Sequence, residues 1–134
     1  MDTGKSALGL DGNLAAALGY PIGIIAIICL IMEKENRFVK FHALQSILLH
    51  VLAIVVMIAL WILIVILTIA GVAAAAATDS GAIGGLVGML MGLLWLVFIV
   101  LYVAALIYAA VKSYQGNMFK LPIIGNMAEK FANK

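Results

Sequence analysis

Three apolar stretches, Leu14–Met32, Ala43–Gly71 and Ile83–Val111, contain no Asp, Glu, Lys or Arg and fill most of the chain. A helix that crosses a bilayer needs roughly 20 apolar residues at a rise of about 1.5 Å each. A helix on the surface of a soluble domain keeps a polar face, and these stretches have none. The pattern predicts an all-α membrane protein with three transmembrane helices over those ranges, forming one polytopic membrane domain across 1–134. Composition agrees, with 66% hydrophobic and 10% charged residues against about 25% charged in a typical soluble domain.

The formal charge of +2 is too small to suggest nucleic acid as a partner. Its placement is more informative. With three crossings, the first connection and the C-terminal tail share a side, and they carry Lys34, Arg37, Lys40, Lys112, Lys120, Lys130 and Lys134. The other side holds only Lys5. Lys and Arg accumulate on the cytoplasmic side of short loops, so the expectation is a bacterial cytoplasmic (inner) membrane protein with its N-terminus outside and its C-terminus cytoplasmic. The first stretch is longer than a signal-peptide core of about 7–15 residues and is followed by Glu33-Lys34-Glu35-Asn36-Arg37 rather than by small residues. It is expected to be retained. Apolar character from Val39 to Ala77 holds no tight polar turn, so the middle segment is expected to be one long helix with protruding ends.

Local signals mark the remaining elements. Asp11-Gly12-Asn13 offers capping groups ahead of Leu14. Pro21 removes a backbone donor inside the first stretch and predicts a bend there, flanked by Gly19 and Gly23. Thr78-Asp79-Ser80-Gly81 is a short connection, so the second and third stretches are expected to be antiparallel neighbours. Gly84, Gly88 and Gly92 fall on one helix face. Such a strip allows close helix packing, either within the chain or between copies. After the polar turn Lys112–Asn117, Pro122 can open a helix over about 122–133. Ile124, Met127, Ala128 and Phe131 lie on one side of it, with Asn126, Glu129, Lys130 and Asn133 opposite. This reads as an interfacial amphipathic helix too short to cross. Arg37, Lys40, Lys120 and Lys130 are the candidate membrane-surface residues, suited to anionic headgroups.

Candidates for chemistry gather at the start of the second stretch, where His42, Gln45, Ser46 and His50 share a face. Polar groups in hydrocarbon are costly and face protein or water. Gln45 and Ser46 are therefore expected to hydrogen-bond a neighbouring helix, at about 1 kcal/mol or less each. The ordinary reading of His42 and His50 is the same, and the alternative is axial ligation of haem or a chlorophyll-type pigment. Cys29 is the sole cysteine, and a small buried thiol is its simplest reading. No GxSxG, HExxH or phosphate-loop motif occurs, and no carboxylate lies within a stretch. No catalytic residue or metal ligand is expected, and no resident cofactor.

The run Glu33-Lys34-Glu35-Asn36-Arg37-Phe38-Val39-Lys40-Phe41-His42-Ala43-Leu44-Gln45-Ser46 resembles the hallmark of a family of small membrane proteins. That family groups bacterial proteins with the twenty-kilodalton subunit of the chloroplast inner-envelope protein-import machinery. Leu18-Gly19-Tyr20-Pro21-Ile22-Gly23 resembles its first-helix start, and Gly116–Gly125 its closing segment. The resemblance implies an all-α membrane bundle. Together these readings favour a non-enzymatic accessory, scaffold or assembly subunit acting through helix packing, with lipids and other membrane subunits or its own copies as partners. The alternatives are a small oligomeric channel or translocation component, and a haem- or pigment-holding subunit of an electron-transfer or photosynthetic complex.

Overall fold

The computed structural model describes residues 3–78 and 81–133. Among these the regular structure is helical: α1 (Gly12–Gly19), α2 (Gly23–Met32), α3 (Arg37–Thr78), α4 (Gly81–Tyr114) and α5 (Ile124–Ala132). One isolated bridge pairs Lys5 with Asp11. Packing divides the chain into two units, one of residues 1–52 with 104–134 and one of residues 53–103.

The first apolar stretch does not form one helix. Tyr20, Pro21 and Ile22 separate α1 from α2, and the two fold back on each other. A Cβ on Gly19 would sit 3.3 Å from the Cβ of Ala26. In a continuous helix those positions are about 10 Å apart along the axis. The small residues Ala15, Ala26 and Cys29 bury against Val39 and Ala43 of α3. The open end of the hairpin is closed by hydrogen bonds. Ala7 N donates to Glu33 Oε2 at 2.7 Å, and Asn36 Nδ2 donates to Thr3 O at 2.7 Å. At the same end, Asn13 Nδ2 reaches Tyr114 O at 2.9 Å.

This corrects the expected first crossing at 14–32. With 8 and 10 residues, α1 and α2 are about 12 and 15 Å long, too short to cross a core of about 30 Å. The bend foreseen at Pro21 is instead a reversal. Pro21 supplies the break, and the missing side chains at Gly19 and Gly23 let the two arms and α3 approach. The chain also caps α1 differently from the expectation. The Asp11 carboxylate is taken by Lys5 Nζ at 2.6 Å, and the first helical N–H groups go to the N-terminal segment. Gly12 N donates to Gly4 O at 2.7 Å, and Asn13 N to Thr3 Oγ1 at 2.9 Å.

Among the described residues two helices are long and apolar enough to cross a membrane, α3 with 42 residues and α4 with 34. Each extends beyond its expected range at both ends. In the unit of residues 53–103 they meet along a seam of partly buried residues. Ala53, Val56, Leu60, Ile64 and Leu67 lead to the buried Gly71 on α3. Ile83, Val87, Met91, Trp95, Phe98 and Tyr102 form the corresponding row on α4. Steps of three and four residues define one stripe on each helix, the spacing of knobs-into-holes packing. Gly71 is the close-approach point, where an added Cβ would lie 3.2 Å from Val87 Cγ2. Outside the seam, large apolar side chains such as Ile66, Ile69, Leu86 and Met89 are exposed. Asp79 and Ser80 of the short connection lie outside the described residues.

Candidate functional site

The unit of residues 1–52 and 104–134 encloses a buried polar junction at the start of α3. Helical spacing puts His42, Gln45 and Ser46 on one face of α3, and all three have no exposed surface. The α1–α2 link delivers Tyr20 to them, and the segment between α4 and α5 brings in Asn117, Phe119 and Leu121. Gln45 Nε2 donates to Tyr20 Oη at 2.7 Å and to Phe119 O at 3.1 Å. Its Oε1 accepts from Leu121 N at 2.9 Å. Ser46 Oγ donates to Gly19 O at 2.7 Å.

The directions of these bonds assign the tautomer of His42. Its Nε2 lies 3.1 Å from Asn117 O, and a carbonyl can only accept, so Nε2 carries the proton. Nδ1 must then accept from the Tyr20 hydroxyl at 3.0 Å. The result is one directed chain, from the Gln45 amide through Tyr20 to His42 and on to the Asn117 carbonyl. Phe38, Phe41 and Tyr20 rings set their edges around the imidazole, with centroids 4.5, 5.0 and 6.0 Å away. Among the described residues no buried side-chain nitrogen or oxygen lacks a partner. A fully satisfied polar network of this kind fixes a single packing arrangement, because every partial version leaves a costly orphan.

The remaining candidates are placed as follows. His50 Nδ1 lies 2.8 Å from Ser46 O, and its Nε2 faces α2, 3.4 Å from where a Cβ on Gly23 would sit. Arg37 is exposed at the first turn of α3 and Lys40 is partly covered. Lys120 Nζ pairs with Glu129 Oε2 at 2.7 Å, and that hydrogen bond holds the Glu129 carboxyl below the usual carboxylate range. Lys130 is exposed on α5. The glycine strip Gly84, Gly88 and Gly92 was expected to pack closely, within the chain or between copies. Nothing lies within 4 Å of a Cβ placed on Gly84, Gly88 or Gly92. The larger residues of the adjacent stripe fill the seam with α3, and Gly84 and Gly88 border it, lining a small groove with Thr68, Gly71 and Val72.

Several junction residues were not among those singled out from the sequence. Glu33 is buried, with its two oxygens accepting from Ala7 N and Asn36 N. Gly125 permits α5 to approach Gln45, since a Cβ there would lie 2.7 Å from Lys120 Cβ and 2.9 Å from Gln45 Oε1. Tyr20 beside Pro21 carried a signal, a polar aromatic inside an apolar run. Asn117 acts through its backbone carbonyl, which no side-chain pattern reveals.

Residues 7–128 match the magnetosome magnetite crystal formation protein family. A UPF0132 membrane protein of Methanocaldococcus jannaschii is 38% identical, over 96% of this chain and 96% of its own length. A second UPF0132 membrane protein of that organism is 27% identical over 93% of this chain and 73% of its own length. One from Archaeoglobus fulgidus is 60% identical over 25% of this chain and 34% of its own. No solved structure matches. These findings correct the resemblance to the chloroplast import family, to which none of them connects the chain, and they remove the restriction to bacteria. The run Glu33–Ser46 builds the α2–α3 turn and most of the polar junction, so its pattern reports architecture.

Proposed function

The chain belongs to the magnetosome magnetite crystal formation protein family, and from that premise we propose that it is a non-enzymatic integral membrane scaffold or assembly subunit. The carrying observation is the junction on Gln45. Its polar groups are consumed in tying the α1–α2 hairpin and the segment before α5 to α3. They hold the fold and present no open chemistry, while the apolar surfaces of α3 and α4 face outward. Partners on this reading are lipids and other membrane-embedded chains, further copies included.

The topology follows from the hairpin. In this reading α3 and α4 cross the bilayer and α1–α2 enters and returns on one side. Short apolar segments of this length suit such re-entry. Although Pro21 and Ile22 are exposed, the link's N–H groups are satisfied within the chain, Tyr20 N by Ala17 O and Ile22 N by Leu18 O, as irregular backbone at membrane depth requires. Lys5, Lys34, Arg37, Lys40, Lys112, Lys120 and Lys130 then share a single face, and Lys134 lies outside the described residues. The seven-to-one division expected with three crossings becomes an undivided one, and the positive-inside rule makes that face cytoplasmic. This replaces the orientation with an external N-terminus.

The family's description concerns mineral formation, and the carboxylates bear on how this chain would contribute. Glu33, Asp11 and Glu129 are each bound by the chain's own donors. Among the described residues no three His, Cys, Asp or Glu side chains converge. On this reading the chain contributes by organising membrane and protein. Extraction in mild detergent or nanodiscs tests it: a stoichiometric membrane partner or a defined homo-oligomer is expected. A lone monomer at native expression level would contradict the proposal.

A further inference from the structure

Ile123, immediately before α5, has φ 68° and ψ −64°. The Ile124 N–H donates back to Pro122 O at 2.8 Å. This is a γ-turn of the strained hand, centred on a β-branched residue that avoids positive φ. Such strain persists only where the surroundings impose it. Here Leu121 is held by Gln45 and α5 by its packing, so the turn is pinned on both sides. Its effect is to leave the Ile123 side chain 76% exposed.

Helix geometry extends the point. Positions 127 and 131 of α5 are offset by about 40° and share one flank, and the exposed Ile123 stands one turn before Met127, at the start of the helix. Met127 and Phe131 are 44% and 50% exposed. A different face of α5 is docked, with Ala128 and Ala132 buried against Phe41 and in contact with Leu44 and Leu48 of α3. The polar residues Asn126, Glu129, Lys130 and Asn133 occupy the third side. The helix therefore keeps an apolar flank after docking, and the amphipathic face expected from the sequence is split between α3 and the outside.

We propose that the Ile123–Met127–Phe131 flank is a lipid-docking surface, set into the headgroup–acyl boundary of an anionic bilayer, with Ile123 as its leading edge. The occupant follows from two features. Around the single carboxylate Glu129 stand Lys120, its ion-pair partner, Arg37, which acts on it through space, and Lys130, the next residue in sequence. That rim is positive overall and complements anionic headgroups. The flank also belongs to the unit carrying the basic ends of α3 and α4, where an interfacial helix sits about 5–10 Å into the boundary. The inference rests on the reading of α3 and α4 as crossing helices.

The test uses nitroxide-labelled cysteines in a Cys29→Ala background, in vesicles of phosphatidylcholine with phosphatidylglycerol. Collision with oxygen reports lipid, and collision with a nickel chelate reports water. A label at Ile66 of α3 should be oxygen-accessible, one at Met127 likewise, and one at Asn133 nickel-accessible. Nickel accessibility at Met127, or shielding from both reagents by a protein neighbour, would overturn the docking surface while Ile66 still supports the crossing. Nickel accessibility at Ile66 would instead refute the crossing itself. Omitting phosphatidylglycerol, or introducing Lys130→Gln, should lower the oxygen-to-nickel ratio at Met127 several-fold, and an unchanged ratio would refute the anionic preference. Ile123→Gly relieves the turn and should raise the unfolding temperature in detergent while reducing burial of the Met127 label. A lower unfolding temperature would show that no strain was held there.

Discussion

Gln45 joins three segments through one side-chain amide, and its energetic weight comes from what its removal would strand. Gln45→Leu keeps the volume and apolar match but leaves Leu121 N, Phe119 O and the Tyr20 hydroxyl without their partner. An orphaned buried group costs about 1–3 kcal/mol, so a loss of about 3 kcal/mol is expected, read as a lower unfolding temperature in detergent. Tyr20→Phe strands only His42 Nδ1 and one Gln45 hydrogen, and about 1–2 kcal/mol is expected. Equal effects of the two would argue against the directed chain. The pH dependence is smaller and has a definite sign. The Glu129 carboxyl is held below its ordinary range by Lys120, so its contribution is present at neutral pH and lost as pH falls through that lowered value. The small stability difference between wild type and Glu129→Gln should vanish in acid, and a difference that grows there would refute the assignment.

Among the elements, α3 and α4 were legible because length and apolarity dictate them, and α5 because its polar and apolar residues segregate. The inward face of α3 was legible for the same reason, since Gln45 and Ser46 cannot face lipid cheaply. The reversal at Pro21 was not. Proline says where a helix is interrupted, whereas the angle depends on contacts 26 and 33 residues apart in sequence, Ala7 with Glu33 and Thr3 with Asn36. The partner of the glycine strip was not legible for a related reason. Spacing identifies a shared face but not which neighbour it meets, and the bulky stripe beside it has the seam. The two glycine positions give a direct comparison. Gly71→Leu forces a side chain onto Val87 and should cost about 1–3 kcal/mol through overpacking. At Gly88 an added Cβ meets nothing within 4 Å, so Gly88→Leu should cost the purified monomer less than Gly71→Leu. If Gly88→Leu is the more damaging in a purified monomer, the seam has been placed on the wrong face.

For the whole molecule, the decisive feature of the proposed topology is that the first apolar stretch returns to the side it leaves. It gathers the basic residues on one face and makes the N-terminal segment part of the Gln45 junction. The most direct measurement is the distance between spin labels at Lys5 and Lys34 in lipid nanodiscs. The hairpin places the backbone oxygen of Lys5 3.2 Å from the Asn36 amide, so a short distance near the lower limit of pulsed dipolar methods is expected. A continuous crossing helix would instead separate the labels by about 30 Å or more, at 1.5 Å per residue over the stretch. That longer distance would contradict the account.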